Sequence, residues 1–248
     1  MRYEYKYYLT NQQAQLLLDM MTPFVREDKY LNDIPQTTYV VRSLYMDTPN
    51  LDYYHDKVEG LNIRKKVRVR CYNSHVNTLF FEIKRKMDRK ITKVRQKINI
   101  RSFTPALLTK LPYQLNIEHS ELKKIYFYIT KEILRPILLV VYDRAAFHSK
   151  FYRDLRITLD YNLRTRFESG LDKIATEDNL VPVLPGKIIL EIKFTSGLPE
   201  WLINSIQILN LERQAISKYV LSLDKALENH VFSRNSKMIF YEHVPILD

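Results

Sequence analysis

The chain has 248 residues, 46% of them hydrophobic, with a formal net charge of +11 and a pI near 9.5. It is long enough to bury a sizeable core, and its basic balance points to polyanionic partners: phosphorylated metabolites, nucleic acid or an anionic membrane surface. A single cysteine excludes an internal disulfide, and 4 glycines exclude a Gly-rich phosphate loop, so any phosphate must be held by side chains.

No apolar run approaches the roughly 18 residues of a membrane span, and Met1 leads directly into charged residues. The expectation is a cytoplasmic protein in a reducing compartment.

Residues 1–9 alternate, with Arg2, Glu4 and Lys6 on one face and Tyr3, Tyr5 and Tyr7 on the other, which predicts a strand. Thr10 or Asn11 caps a helix predicted from about Asn11 to Arg26, where Leu16, Leu17, Met20, Met21 and Phe24 recur at helical spacing. A second strand over 38–46 holds Arg42. Asp47-Thr48-Pro49 ends it, and a short aromatic helix runs to Gly60.

Ile63–Cys71 is the most informative stretch. Lys66, Arg68 and Arg70 share one face and Val67, Val69 and Cys71 the other. By itself such a strand is equally a solvated basic edge. The two segments that follow repeat the pattern, however. Leu79–Lys86 places Glu82, Lys84 and Lys86 opposite Phe81 and Ile83, and Ile91–Ile100 places Lys93, Arg95 and Lys97 opposite Val94, Ile98 and Ile100. Short connections make this an antiparallel meander. Residues 103–135 read as helical, broken by Pro105 and Pro112.

Pro136 restarts strands. Ile137–Phe147 is apolar but admits Arg144. Leu155–Tyr161 sets Arg156, Thr158 and Asp160 against Leu155, Ile157 and Leu159, and Lys187–Phe194 sets Glu191 and Lys193 against Leu190 and Ile192. Pro199–Leu211 and Ser217–Glu228 read as closing helices, and Met238–Tyr241 as a short strand. With no linker or repeat in view, a single domain over 1–248 is expected.

Apolar faces behind charged ones fit two architectures. In a sandwich the charges face water; in a barrel wrapped by helices they line the lumen. The amphipathic helices need a surface to pack on, which favours the lumen. The expected fold is therefore α+β, a closed antiparallel β-barrel with helices packed outside. Unpaired charges crowded in a lumen are unstable unless an anion or metal neutralises them. Such a tunnel suits a linear polyphosphate, with Glu4, Glu82 or Glu191 as hard oxygen ligands for a divalent ion.

The first-strand Glu4-x-Lys6 and the late Glu191-x-Lys193, with Val41 to Thr48, Arg64 to Arg70, Glu82-Ile83-Lys84, Tyr142-Asp143-Arg144, Arg156 to Asp160 and Ile216 to Tyr219, resemble the triphosphate tunnel metalloenzymes. Within that CYTH-like superfamily the chain is most similar to the polyphosphate polymerase domain of the vacuolar transporter chaperone (VTC) type, over residues 2 to about 228. The hydrolytic branch opens with Glu-x-Glu-x-Lys, and Arg2 replaces the first Glu here.

The resemblance implies that Arg68, Arg70, Lys84, Arg144, Arg156 and Lys218 act on the phosphates. Lys6, Arg42, Lys66, Tyr142, Lys193 and Ser217 would help bind ATP and the growing polyphosphate chain. Glu191, with Glu4 and Glu82, would serve Mn²⁺ or Mg²⁺. It implies no nucleic-acid partner and leaves room for a separately encoded membrane-protein partner, which would place the chain at the inner face of a membrane.

Blander readings stand beside these. Arg42 and Arg164 are equally surface salt-bridge partners, and Lys86, Lys93, Arg95 and Lys97 equally a solvated rim. The six histidines lack metal-ligand spacing, Cys71 is core, and the 18 tyrosines are expected outside the barrel under helices. Two other functions use the same cations: a tunnel triphosphatase, and a non-catalytic binder of polyphosphate, inositol phosphates or RNA.

Overall fold

The computed structural model describes residues 3–28, 37–73, 75–88, 90–99, 127 and 129–232. The expected helices over 103–126, the Met238–Tyr241 strand and Arg2 lie outside the described residues.

Ten strands form one sheet in the order β1-β10-β8-β7-β3-β4-β5-β6. They are β1 Tyr3–Leu9, β2 Val25–Glu27, β3 Tyr39–Asp47, β4 Ile63–Tyr72, β5 His75–Met87, β6 Lys90–Asn99, β7 Arg135–Ser149, β8 Arg156–Phe167, β9 Val181–Pro182 and β10 Ile188–Phe194. All strand pairings among the described residues are antiparallel, with β2 added on β7 and β9 on β8.

The helices are α1 Asn11–Met21, α2 Asp52–Val58, α3 Glu200–Ile208 and α4 Lys218–Phe232. Thr10 and Gln13 form a reciprocal capping box at the start of α1. That helix stops five residues short of the expected Arg26, because Pro23 cannot continue it and Val25–Glu27 instead pairs with Phe147–Ser149.

The sheet curls but does not close. Its path starts at β1 and ends at β6, and no pairing joins these two edges among the described residues. The expected closed barrel is therefore an open half-barrel. Side chains alone span the gap, where Glu4 Oε2 lies 3.8 Å from Lys84 Nζ.

The convex face is apolar and covered. Tyr7, Leu9, Phe147, Ile157, Leu159, Leu190 and Ile192 pack against Ala14, Leu17 and Met21 of α1 and Leu202 of α3. Further round, Leu44, Met46, Val67, Val69, Cys71, Phe81 and Ile83 pack with Ile129, Leu134, Leu171 and Ile174. Each such fully buried side chain stabilises the fold by about 1.5–3 kcal/mol relative to exposure.

Not every helix lies outside, contrary to expectation. Ile216, Tyr219, Leu223 and Ala226, on and just before α4, pack on Val41, Tyr45, Leu138, Val140, Tyr142 and Ile189, the concave side of the sheet. A half-barrel leaves that apolar end of its concave face open to a helix, and α4 fills it. The charged end remains.

Candidate functional site

Directly opposed residues on antiparallel strands share a face, so register decides which side chains meet. On one wall, Arg68 and Arg70 stand opposite Tyr45 and Ser43 of β3, Lys66 opposite Lys84, and Arg68 opposite Glu82, with Lys93 and Arg95 next in line on β6. On the other wall, Glu4 opposes Lys193, Lys6 opposes Glu191, Glu191 opposes Thr158, Lys193 opposes Arg156, and Arg144 opposes Asp160.

Glu82 anchors the first wall. It receives Arg68 Nη2 at 2.7 Å and Lys93 Nζ at 2.8 Å, with Arg95 Nε at 3.4 Å and Arg70 Nη1 at 3.8 Å. Burial pushes its carboxyl up, but Arg68, Arg70 and Lys93 overcome this and hold it far below the carboxylate range. Arg70 also donates to Ser43 Oγ at 3.1 Å and to the Tyr142 hydroxyl at 3.4 Å. Lys93 and Arg95 reach Glu82 while their side chains stay 46% and 41% exposed, a solvated rim tied to the wall.

Asp160 anchors the second wall. It accepts Arg144 Nε at 2.6 Å and Arg144 Nη2 at 2.8 Å, and pairs with Lys218 Nζ at 2.6 Å. Glu191 pairs with Lys193 Nζ at 2.5 Å and lies 3.8 Å from Arg144 and 3.9 Å from Lys218. Burial would raise the Glu191 carboxyl, yet Lys193, Lys6, Lys218 and Arg144 hold it well below its ordinary range. Arg156 sits at the mouth, donating to Asp28 at 2.9 Å beside a cleft of about 140 Å³ lined with His148, Arg153, Asp154 and Thr195.

Two tyrosines tie the walls together. The Tyr142 ring lies under Arg144 at 5.1 Å and Lys218 at 5.0 Å, while its hydroxyl meets Arg70. Tyr45 accepts from Arg68 Nη1 at 3.0 Å and stacks on Tyr219 with centroids 4.8 Å apart. Burial would raise the Tyr45 hydroxyl, but Arg68 and Arg70 bring it below its usual value. These rings stand inside among the cations, not outside under helices as expected. The guanidinium groups give their hydroxyls a buried partner.

The segment before α4 crosses between the walls. Lys6 Nζ donates to the Ile216 carbonyl at 3.0 Å and Lys66 Nζ to Ser217 Oγ at 2.8 Å. Lys6 is pushed down by burial but raised overall by Glu191 and Glu4, the latter 3.0 Å away. Lys66 pairs with no such carboxylate among the described residues. Burial, then Lys6, Arg68 and Lys84, drives its ammonium well below the ordinary lysine value.

Arg42 is not brought to this group. It opposes Cys71 on the convex face, donates to the Asn73 carbonyl at 3.2 Å and pairs with Glu177. Arg164 joins the same outer network through Asp143 at 3.1 Å and Glu177 at 3.4 Å. A bulge at Asn162, whose φ is 50°, resets the parity of β8, so Asp160 faces inward and Arg164 outward. Asp160, Tyr45 and Ser43 are members that sequence reasoning left without a role; the signal for the last two is their shared parity on β3.

Glu4, Glu82 and Glu191 do not converge, and no group of three or more metal-ligating side chains occurs among the described residues. No helix among these residues is long and apolar enough to cross a membrane.

A curled antiparallel sheet with a cation-lined concave face has counterparts of the same fold among solved structures. HpAC1 from Hippeastrum, described as revealing a dominant triphosphatase activity, is similar with a TM-score of 0.50 and 17% identity over 91% of this chain and 96% of that one. The bh2851 protein of Bacillus halodurans has a TM-score of 0.49 and 12% identity over 86% and 92% of the two chains. The PH1819 protein of Pyrococcus horikoshii OT3 has 0.47 and 16% over 91% and 99%. Comparison with curated protein sequences gives no match. The VTC domain family model matches residues 1–227, and the chain belongs to the VTC domain family.

Proposed function

We propose that the protein is a metal-dependent polyphosphate polymerase, transferring the γ-phosphoryl group of ATP onto a polyphosphate chain held along the concave face. The observation that carries this reading is the convergence at Tyr142, in a VTC-family chain, of Arg70 from one wall and Arg144 and Lys218 from the other. Cations from both walls meeting at one tyrosine, two over its ring and one at its hydroxyl, suit a linear run of phosphates better than a single one.

In the reaction, a terminal oxygen of the acceptor attacks the γ-phosphorus, the bond to the β,γ-bridging oxygen breaks, and ADP leaves with the electron pair. The attacking oxygen is already ionised near neutral pH, so no general base is needed and catalysis is positioning plus charge stabilisation. Arg68, Arg70 and Lys84 hold phosphates from one wall; Lys6, Arg144, Lys193 and Lys218 hold them from the other. Arg156 receives chain at the mouth, and Ser217 fixes Lys66.

Mn²⁺ or Mg²⁺ would be held by a carboxylate of this chain with the help of the bound phosphates, since the described residues build no complete protein site. Glu191 would be that carboxylate; like Glu82 it is surrounded by cations, Lys193, Arg144 and Lys218, so the ion would enter with phosphates that draw those cations away. The ion would neutralise charge on the transferring phosphates.

The test is incubation with γ-labelled ATP and Mn²⁺, followed by separation of products. Label in long chains alongside ADP supports the polymerase. ADP with free phosphate alone means a tunnel triphosphatase, and polyphosphate binding without ADP release means a binding module.

A further inference from the structure

Thr158 sits in the middle of the second wall and has nothing to do there. It is 1% exposed, and its hydroxyl has no hydrogen-bond partner among the described residues. A buried hydroxyl left unpaired is destabilising, and a valine of the same shape would avoid this. Its surroundings follow from register. Glu191 stands opposite on β10 and Ala146 opposite on β7; Arg156 and Asp160 are its neighbours two residues away on the same face of β8. At the diagonals lie Lys193, beside Glu191, and His148 and Arg144, on either side of Ala146.

Glu191 cannot satisfy the hydroxyl well, because Lys193, Arg144 and Lys218 already surround its oxygens. Ala146, fully buried, carries no polar group and offers the hydroxyl no partner. An unpaired donor enclosed by Arg144, Arg156 and Lys193 is complementary to an anionic oxygen lying across that rung.

We propose that Thr158 is a phosphate-contacting residue, its hydroxyl donating to a non-bridging oxygen of the triphosphate or polyphosphate run where it passes between Arg144 and Arg156. This rests on the reading of the concave face as a polyphosphate site. The hydroxyl adds a directed neutral donor among point charges, fixing where along the chain a phosphate stops, which charge alone does not do.

The experiment is calorimetric titration of the full chain with tripolyphosphate in the presence of EDTA, for wild type, Thr158→Val and Thr158→Ser, with the ligand-free melting temperature of each. The expected result is about a tenfold loss of affinity for Thr158→Val, near-wild-type affinity for Thr158→Ser, and no fall in the melting temperature of Thr158→Val. Unchanged affinity in Thr158→Val overturns the proposal. So does a loss accompanied by a fall of several degrees in its ligand-free melting temperature, which would make the hydroxyl structural. Failure of the wild type itself to bind tripolyphosphate overturns the underlying site as well; intact wild-type binding with an indifferent Thr158→Val overturns Thr158 alone.

Discussion

The Tyr219 hydroxyl donates to Asp47 Oδ2 at 2.6 Å, joining the start of α4 to the end of β3. Asp47 is buried and also accepts the backbone N–H groups of Thr48, Tyr53 and Tyr54, so one carboxylate sets both the start of α2 and the position of Tyr219. Lys218 and Ser217 are the residues immediately before it. The bond therefore decides where two tunnel side chains stand. Tyr219→Phe removes it and keeps the ring stacked on Tyr45. The expected outcome is a loss of about 1–3 kcal/mol in denaturant unfolding, with weaker tripolyphosphate binding in the fraction that remains folded.

Asp160 is the buried partner of both Arg144 and Lys218. Asp160→Asn leaves two cations under-compensated in a buried wall, and stability should fall by about 3–5 kcal/mol. Burial would raise the Asp160 carboxyl, but Arg144 and Lys218 hold it below its ordinary value. Its contribution is therefore present above the unfolded carboxylate value and lost as pH falls through the lower folded one. Melting temperatures measured from neutral to strongly acidic pH should show that loss in the wild type and its attenuation in the variant.

The strands and their inward faces were legible wherever one face is apolar and the other charged. Lys66, Arg68 and Arg70, then Glu82 and Lys84, then Glu191 and Lys193 follow from a period of two. Legibility failed where β3 is buried on both faces: Arg42 lies among apolar residues, and pairing of Ser43 with Arg70, a long-range fact, turns it outward. It failed again at α4, whose amphipathic pattern says that it packs but not on which side of the sheet. Closure depends on whether edges β1 and β6 meet, and no local pattern encodes that.

Lys66 gives a pH dependence of the same sign as Asp160, in the window below the ordinary lysine value instead of the carboxylate one. Its ammonium is depressed in the folded chain by burial and by Lys6, Arg68 and Lys84. Between that depressed value and the ordinary lysine value of 10.5, the unfolded chain binds more protons, so ligand-free stability should rise with pH across the window. A bound polyanion restores the charge, so tripolyphosphate binding should take up a proton. Titrations in buffers of differing ionisation enthalpy measure that uptake. Lys66→Met should abolish it, raise ligand-free stability and weaken binding.

Glu191→Gln keeps the size of the side chain and removes its charge, freeing Lys193, Arg144 and Lys218. Polymer synthesis with Mn²⁺ should fall about a hundredfold, while polyphosphate affinity measured in EDTA is kept or improves. Near-normal synthesis would pass the metal role to another oxygen ligand, with Glu4 the next variant to assay.

On the proposed reading, cations from both walls of the half-barrel bind one linear phosphate chain. A crystal structure of the protein soaked with tripolyphosphate tests it most directly. Phosphorus atoms should lie in a continuous run touching Arg68 and Arg70 on one side and Arg144 and Lys218 on the other, with Tyr142 between them. Tripolyphosphate bound elsewhere, at the outer Arg42–Arg164 network or in the His148–Arg153 cleft, with the concave face free of it, would contradict the account.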